Sequence, residues 1–292
     1  MVNMVDKLAN NSENIAAKAA SAYVEINDAI EKIAPAAGSS EISGNFPLSA
    51  SKKILAIIPA RGGSKRLPGK NIMMFHGKPM IAWTIEAAKN SKYIDRVIVS
   101  TDDDKIAEVS RRYGAEVPFK RPAELATDTA TSVDTIKHAV EFMSKEHGYD
   151  PDYICFLQAT SPLRTSTDID NACELMFSRN ANACVSVVQT KLDPHYTNTI
   201  DDFGFYHNYF TPGGRKYMRT LGNVPKTYLL NGAIYLIKTN VFYEENTFEP
   251  PRTVAYEMSE FLSSDIDTYQ DFLVAEFFAK NKEVLMAGNS KG

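Results

Sequence analysis

The sequence predicts an open, mostly parallel α/β sheet with helices on both faces, and three observations favour this class. From residue 52 onward, short apolar runs alternate with longer amphipathic segments of helical length. The runs at 54–58 and 153–157 are apolar throughout, as is typical of strands that are buried on both faces of a sheet. Glycine and proline residues separate the segments, so that strands and helices alternate in a βαβα order.

The predicted elements follow one another along the chain with clear end signals. Strands are expected at 54–58, 96–100, 116–119, 153–157, 183–188 and 231–237. Helices are expected at 79–90, 103–113, 132–146, 168–178 and 268–280. Pro79 opens the first of these helices, and Gly114 and Gly148 follow the ends of the second and third. Right-handed crossovers then place the carboxyl ends of the parallel strands, and with them the ligand crevice, on one edge.

Three segments stand outside this alternation. Residues 1–51 are expected to form a helical extension and linker, because apolar residues at 15, 19, 22, 26, 30 and 33 lie on one face of a helix. That helix is either a docking or non-native extension or an oligomerising one. Residues 189–228 are rich in proline, glycine and aromatics and predict an inserted hairpin arm, which either meets a partner or packs on its own domain. Residues 283–292 are expected to form a C-terminal tail.

Composition excludes several classes of protein. The 292 residues carry a formal net charge of −4, which argues against a nucleic-acid binder. No stretch approaches the roughly 20 apolar residues that a membrane helix needs. The N-terminus has no apolar signal core, and the three cysteines are scattered without a CxxC pair. A cytoplasmic protein without disulfides or membrane contact is therefore expected.

The segment directly after the first predicted strand carries the strongest chemical signal. It contains four basic residues and no acid between positions 61 and 70, namely Arg61, Lys65, Arg66 and Lys70. Gly62 and Gly63 let backbone N–H groups approach a ligand closely. Cationic side chains together with open backbone donors are what a polyphosphate requires. The loop is not a Walker A motif, because Ser64 stands where that motif needs glycine.

This loop resembles that of the acylneuraminate cytidylyltransferases, the CMP-sialic acid and CMP-legionaminic acid synthetases. Further segments match the family in order, at 99–102, 121–132, 158–164, 231–235 and 265–267. The resemblance covers roughly residues 52–282 and implies a Rossmann-like GT-A-type nucleotidyltransferase domain. It also implies the transfer of CMP from CTP to an acidic nine-carbon 2-keto sugar, with release of pyrophosphate, by a homodimer formed through residues 189–228.

The resemblance and the loop chemistry together assign the site residues. The residues expected at the nucleotide are Arg61, Gly62, Gly63, Ser64, Lys65, Lys70, Asn71, Arg121 and Ser132. The residues expected at the sugar are Gln158, Thr160, Ser161 and Asn231. Arg61, Lys70 and Arg219 are the expected catalytic cations. Catalysis by such a site is mostly positioning and charge neutralisation.

Asp265 and Asp267 form the expected metal site. Residues i and i+2 of an extended segment point the same way, and two carboxylates beside a triphosphate can hold Mg²⁺. The alternative is that Asp267 caps the helix that begins near residue 268, and both roles are compatible. The five histidines form no cluster with ligand spacing.

The sequence departs from the family at two positions. Leu221 and Leu229 stand where many members carry arginine near the acidic sugar or the phosphate. Basic residues nearby could substitute, and Arg219 is the best candidate because it is two residues from position 221 on an extended arm. These losses leave the sugar open between sialic or legionaminic acid and, as alternatives, pseudaminic acid or ketodeoxyoctulosonate. They also leave open a catalytically impaired nucleotide-binding or scaffold protein.

Overall fold

The apolar runs of the sequence form the strands of one mixed sheet. The computed structural model describes residues 52–190, 197–208 and 226–289. The sheet contains β1 (Ile54–Pro59), β4 (Arg96–Ser100), β5 (Tyr153–Phe156), β6 (Ala183–Thr190), β9 (Thr227–Lys238) and β10 (Thr253–Glu257). Two small two-stranded ribbons are formed by β2 (Met74–Phe75) with β3 (Lys78–Pro79) and by β7 (Asn198–Ile200) with β8 (Tyr206–Asn208).

The α-helices of the described residues lie between and after these strands. They are α1 (Met80–Lys89), α2 (Asp104–Arg112), α3 (Ser132–His147), α4 (Ser166–Ser178), α5 (Thr239–Glu245), α6 (Tyr269–Lys280) and α7 (Lys282–Asn289). Side-chain caps fix several of their starts: Asp103, Thr131, Thr165 and Thr268 each accept a hydrogen bond from a backbone N–H of the first turn. No helix in the described part of the chain is both long and apolar enough to cross a membrane.

The predicted, mostly parallel topology is confirmed. The strand order is β10-β6-β9-β5-β1-β4, and only β9 runs antiparallel to its two neighbours. β9 follows the arm and lies beside β6 in the opposite direction. The carboxyl ends of β1, β4 and β5 therefore meet at one edge.

The core lies on both faces of the sheet, as the apolar strands predict. Along β1, Ile54, Ala56 and Ile58 face one apolar cluster, which contains the buried side of α1. Leu55 and Ile57 face the other, which contains the buried side of α3. Alternate residues of a strand point to opposite faces, so this strand has no face for water.

The prediction of a strand at 116–119 is wrong. Only Glu116 makes an isolated parallel bridge, to Ile98 of β4. Pro118 has no backbone N–H to donate, so the pairing cannot continue past it. The pattern also gave no indication of β10 at the sheet edge or of the short helix α5.

The predictions for the two ends of the chain and for the arm differ in their outcomes. The helical interpretation of residues 1–51 lies outside the described residues, as do residues 191–196 and 209–225 of the arm. The described part of the arm is a hairpin, in which β7 pairs antiparallel with β8. The segment expected as a C-terminal tail contains the helix α7.

Candidate active site

The loop of residues 60–70, here called the basic loop, leaves the carboxyl end of β1 and is held there by its own backbone. The Ala60 N–H donates to Ser100 O (2.9 Å), at the end of the neighbouring strand β4. The Gly62 N–H donates to Asp102 Oδ1 (3.0 Å). The buried Asn71 side chain donates through Nδ2 to Arg61 O (3.0 Å). Asn71 therefore fixes the backbone of the basic loop at the site where the nucleotide was expected.

Gly62 is required by the close approach of the loop to α2. A Cβ atom at this position would lie 2.7 Å from Asp103 Oδ2, and Asp103 is the N-cap of α2. No neighbour would meet a Cβ at Gly63. Of the adjacent glycines Gly62 and Gly63, only Gly62 has so close a neighbour in this structure.

A cavity of about 580 Å³ opens at this edge of the sheet. The predicted site residues that line it are Arg61, Ser64, Lys65, Lys70, Asn71, Arg121, Ser132, Gln158, Thr160, Asp265 and Asp267. They come from segments up to about 200 positions apart in the chain. The carboxyl ends of the strands thus gather in one place most of the residues that sequence reasoning chose.

Two carboxylates each pair with two cations of the basic loop. Asp128 Oδ1 lies 2.9 Å from Arg61 Nη2, and Asp128 Oδ2 lies 2.5 Å from Lys65 Nζ. Asp267 Oδ1 lies 2.8 Å from Lys70 Nζ, and Asp267 Oδ2 lies 2.9 Å from Arg66 Nη1. Each of the four loop cations therefore has an acidic partner, but four positive charges against two negative ones leave a surplus of two.

The two acids expected to bind metal differ in their electrostatic surroundings. Desolvation raises the pKa of Asp265, although a hydrogen bond from Thr160 and the nearby Lys70 partly offset it. The hydrogen bond from Lys70 lowers the pKa of Asp267. Asp267 does not cap the following helix, because Thr268 is the N-cap of α6. The capping alternative for Asp267 is therefore wrong.

Arg121 and Ser132 form another wall of the cavity. Arg121 is buried, donates through Nε to Ser100 Oγ (3.0 Å) and through Nη2 to Ser100 O. Burial lowers its pKa to about 10, so the guanidinium remains charged at neutral pH, and the carboxylate of Asp102 favours that charge. Ser132 is the first residue of α3, whose N-terminal turn faces the cavity. The amino end of a helix favours negative charge.

Gln158 lies beyond the end of β5, and its amide oxygen is unusual. Oε1 is buried and has no hydrogen-bond partner among the described residues. It fits there because Gly232 of β9 has no side chain and a φ of +73°; a Cβ atom would lie 2.2 Å from Oε1. β9 and β6 shift register beside this point, between Val185 and Val187. The irregular strand therefore makes the room that Gln158 occupies.

Two of the residues expected at the sugar do not line the cavity. Ser161 is fully buried. Asn231 is buried as well, where it accepts from Ser186 Oγ (2.6 Å) and donates to Ser263 Oγ (2.9 Å). In this structure Asn231 holds the irregular part of β9 to its neighbours. Arg219 and Leu221 lie outside the described residues.

Comparison with known proteins decides the family. The family model for cytidylyltransferases matches residues 55–284. The chain belongs to the cytidylyltransferase family. It is 38% identical over 240 residues to the CMP-N,N'-diacetyllegionaminic acid synthase of Legionella pneumophila, with 80% of this chain and 100% of that protein covered. It is 38% identical over 224 residues to the N-acylneuraminate cytidylyltransferase of Escherichia coli O18:K1:H7, with 76% of this chain and 51% of that protein covered.

A solved structure supports the fold of the cytidylyltransferase. CMP:2-keto-3-deoxy-manno-octonic acid synthetase complexed with CTP has a TM-score of 0.57, with 79% of this chain and 100% of that chain covered. At 19% identity this likeness concerns the fold alone. The family and the α/β nucleotidyltransferase fold that the motifs indicated are thus confirmed.

Sequence reasoning missed two functional candidates in this cytidylyltransferase. Asp128 lies within a quoted motif, but its pairing with the basic loop depends on a fold contact over more than 60 positions. Arg164 is buried, and its Nη1 donates to Ala233 O (2.9 Å) and Gln158 O (3.3 Å), so it ties β9 to the end of β5. Burial lowers the Arg164 pKa to about 10. An arginine at the end of the largely polar segment 158–164 gives no sequence signal of such burial.

Proposed function

We propose that this cytidylyltransferase transfers CMP from CTP to the anomeric hydroxyl of a nine-carbon 2-keto sugar acid of the sialic or legionaminic type, releasing pyrophosphate. The observation that carries the proposal is the cavity at the carboxyl edge of the sheet. It sets the cations of the basic loop against two carboxylates, with a polar amide, Gln158, on a further wall. The legionaminic and neuraminic relatives at 38% identity support the type of sugar.

The basic loop supplies charge and position for the triphosphate. Arg61, Lys65 and Lys70 line the cavity and bind phosphate oxygens, and Arg121 with the first turn of α3 forms another wall. Charge-assisted hydrogen bonds of this kind hold the α-phosphorus in line with the incoming sugar hydroxyl. Little covalent chemistry is then asked of the protein, because charge neutralisation and alignment lower the barrier.

Asp265 and Asp267 are the residues that would hold a Mg²⁺ ion beside the phosphates. Both carboxylates line the cavity, and Asp265 makes no ion pair with a described cation within 4.0 Å. No group of three or more His, Cys, Asp or Glu side chains in the described residues could hold a metal by itself. Mg²⁺ usually binds through one or two carboxylates plus substrate phosphates, which is the arrangement this pair offers. When bound, the ion neutralises charge on the phosphate oxygens.

The sugar lies beside Gln158 in this proposal. Its side chain lines the cavity, where the uncharged amide binds a sugar hydroxyl. Thr160 lines the same wall and its backbone carbonyl accepts from Ile266 N (2.9 Å), which ties the sugar wall to the metal segment. Arg219 of the arm remains the predicted partner of the sugar carboxylate.

The arm is proposed to form a homodimer. Phe203 is 87% exposed and Phe205 67% exposed on the described hairpin, and Leu229 is 50% exposed on β9. Large apolar side chains that are this exposed mark a contact surface.

Pyrophosphate release tests the reaction and the sugar together. The protein is incubated with CTP, Mg²⁺ and, in separate reactions, N-acetylneuraminic acid, N,N'-diacetyllegionaminic acid, pseudaminic acid and ketodeoxyoctulosonate. We expect release with one of the first two at a kcat/KM at least tenfold above the others. Binding of CTP without turnover of any of the four acids would contradict the proposal and favour an impaired nucleotide-binding protein.

A further inference from the structure

Asp128 joins two parts of the cavity wall. It lies between the short 3₁₀ helix Ala123–Ala126 and α3, whereas its partners Arg61 and Lys65 belong to the basic loop. The two cations, Lys65 first, lower the pKa of Asp128, so it is ionised at neutral pH. The two ion pairs of Asp128 therefore connect two walls of the cavity. They occupy the same cations that the proposed function assigns to phosphate.

Asp267 and Asp128, the two acids that pair with the basic loop, differ in whether another partner is available once phosphate takes their cations. When phosphate takes Lys70 and Arg66, Asp267 can turn to a metal ion, because Asp265 stands beside it. Asp128 has no such second partner among the described side chains within ion-pair distance. Its side chain is 48% exposed, so water can solvate the carboxylate once it is released. Asp128 and a phosphate group thus compete for the same two cations.

We propose that Asp128 is an internal competitor of the phosphate groups and sets how much negative charge a nucleotide must carry to occupy the site. This inference rests on the proposed function, since it concerns the CTP site. A triphosphate offers more charged oxygens than one carboxylate and displaces it, whereas a ligand without phosphate cannot. The carboxylate returns to Arg61 and Lys65 as pyrophosphate leaves, which favours product release.

Calorimetric binding to the full chain tests this competition. Asp128→Asn and Asp128→Ala are titrated with CTP, pyrophosphate and cytidine, in Mg²⁺ and again in EDTA, which separates the effect from the metal ligands. Two exposed ion pairs are removed, so we expect CTP and pyrophosphate to bind about threefold to tenfold more tightly. Cytidine binding should stay the same within twofold, because cytidine has no phosphate to compete with the carboxylate.

Asp104→Asn is the matched control. It changes the net charge equally, and its carboxylate pairs with Lys120 (2.8 Å) away from the cavity lining. Asp104→Asn should leave all three dissociation constants within twofold of those of the wild type. Circular dichroism confirms that each variant is folded before it is titrated.

Each other outcome has a definite meaning. Unchanged or weaker binding of CTP and pyrophosphate to both Asp128 variants overturns the inference while leaving the CTP site intact. Tighter binding of cytidine as well, or an equal effect of Asp104→Asn, overturns it too, because the change then does not act through the phosphates. A wild-type protein that binds neither CTP nor pyrophosphate overturns the proposed function itself.

Discussion

Lys70 is the cation of the basic loop that water screens least. Its side chain is 16% exposed, against 77% for Lys65, and it donates to Asp267 Oδ1 (2.8 Å) and Ile266 O (3.2 Å). A charge-assisted hydrogen bond at such a position is worth about 1.5–3 kcal/mol, or roughly 10- to 150-fold. Lys70→Ala should therefore lower kcat/KM for CTP by that factor, and Lys65→Ala by less than tenfold.

Steady-state kinetics with varied CTP measure this difference. Lys92→Ala is the control, because Lys92 pairs with Glu174 (2.6 Å) and does not line the cavity. Equal losses in Lys70→Ala and Lys65→Ala would contradict the link between screening and strength.

Asp265 predicts how the metal requirement depends on pH. Desolvation raises its pKa, so on acidification this carboxylate takes up a proton before an ordinary aspartate, whose pKa is about 3.9. The apparent Mg²⁺ affinity should therefore fall with pH while other acids remain ionised. In Asp265→Asn, Mg²⁺ affinity should be weaker at neutral pH and should lose this acid dependence.

Thermal melts separate this role from a structural one. An acid whose pKa is raised in the folded state costs stability when it is ionised, so Asp265→Asn should keep or raise the Tm at pH 7. Asp104→Asn serves as the control in the Mg²⁺ titrations. A lower Tm together with wild-type Mg²⁺ titrations would show that Asp265 is a structural residue.

The irregular strand β9 sets the position of Gln158. Gly232 has a φ of +73°, where a side chain costs about 1–2 kcal/mol, and its Cβ would lie 2.2 Å from Gln158 Oε1. Gly232→Ala should therefore raise the sugar KM at least tenfold, while the CTP dissociation constant stays within twofold.

Gly148→Ala isolates backbone strain from displacement of Gln158. Gly148 follows α3 with a φ of +57°, and nothing would meet its Cβ. Gly148→Ala should lower the Tm, because it introduces a similar backbone strain. The sugar KM and the CTP dissociation constant should stay unchanged. An unchanged sugar KM in Gly232→Ala, or an equal rise in Gly148→Ala, would refute the role given to Gln158.

The sequence predicted the elements where local signals were strong. β4 agrees with its predicted bounds, and α2 and α3 begin after the caps Asp103 and Thr131, because apolar periodicity and capping chemistry act over a few residues. β10 was not predicted, because this edge strand has three half-buried and two exposed residues and no apolar run. The carboxyl ends of the parallel strands predicted where the site lies. Packing decides which polar residues there face the cavity, and Ser161 is buried instead.

At the scale of the whole molecule, the exposed side chains of the arm and of β9 predict a dimer. Light scattering should give about twice the 32.4 kDa of one chain. Phe205→Glu combined with Leu229→Glu should shift the mass to that of a monomer, since charge cannot be buried without a partner. Met74→Glu, at a residue that is also exposed but lies in the β2–β3 ribbon, should leave the mass unchanged. A monomeric wild type would contradict the proposed dimer.

The chain from residue 52 carries its own anchors, so residues 1–51 should be dispensable for catalysis. The Lys53 N–H donates to Asp152 Oδ2 (2.8 Å), Lys53 O accepts from the Tyr153 N–H (3.1 Å), and Lys52 Nζ lies 3.6 Å from the centre of the Phe177 ring. A chain beginning at Ser51 should keep the Tm and the kcat/KM for both substrates. A chain beginning at Leu55 should melt earlier, because it loses these anchors and the first residue of β1. Loss of activity in the Ser51 chain with an unchanged melt would show that the extension contributes to the site. A change from the mass of a dimer to that of a monomer by light scattering would show that it contributes to assembly.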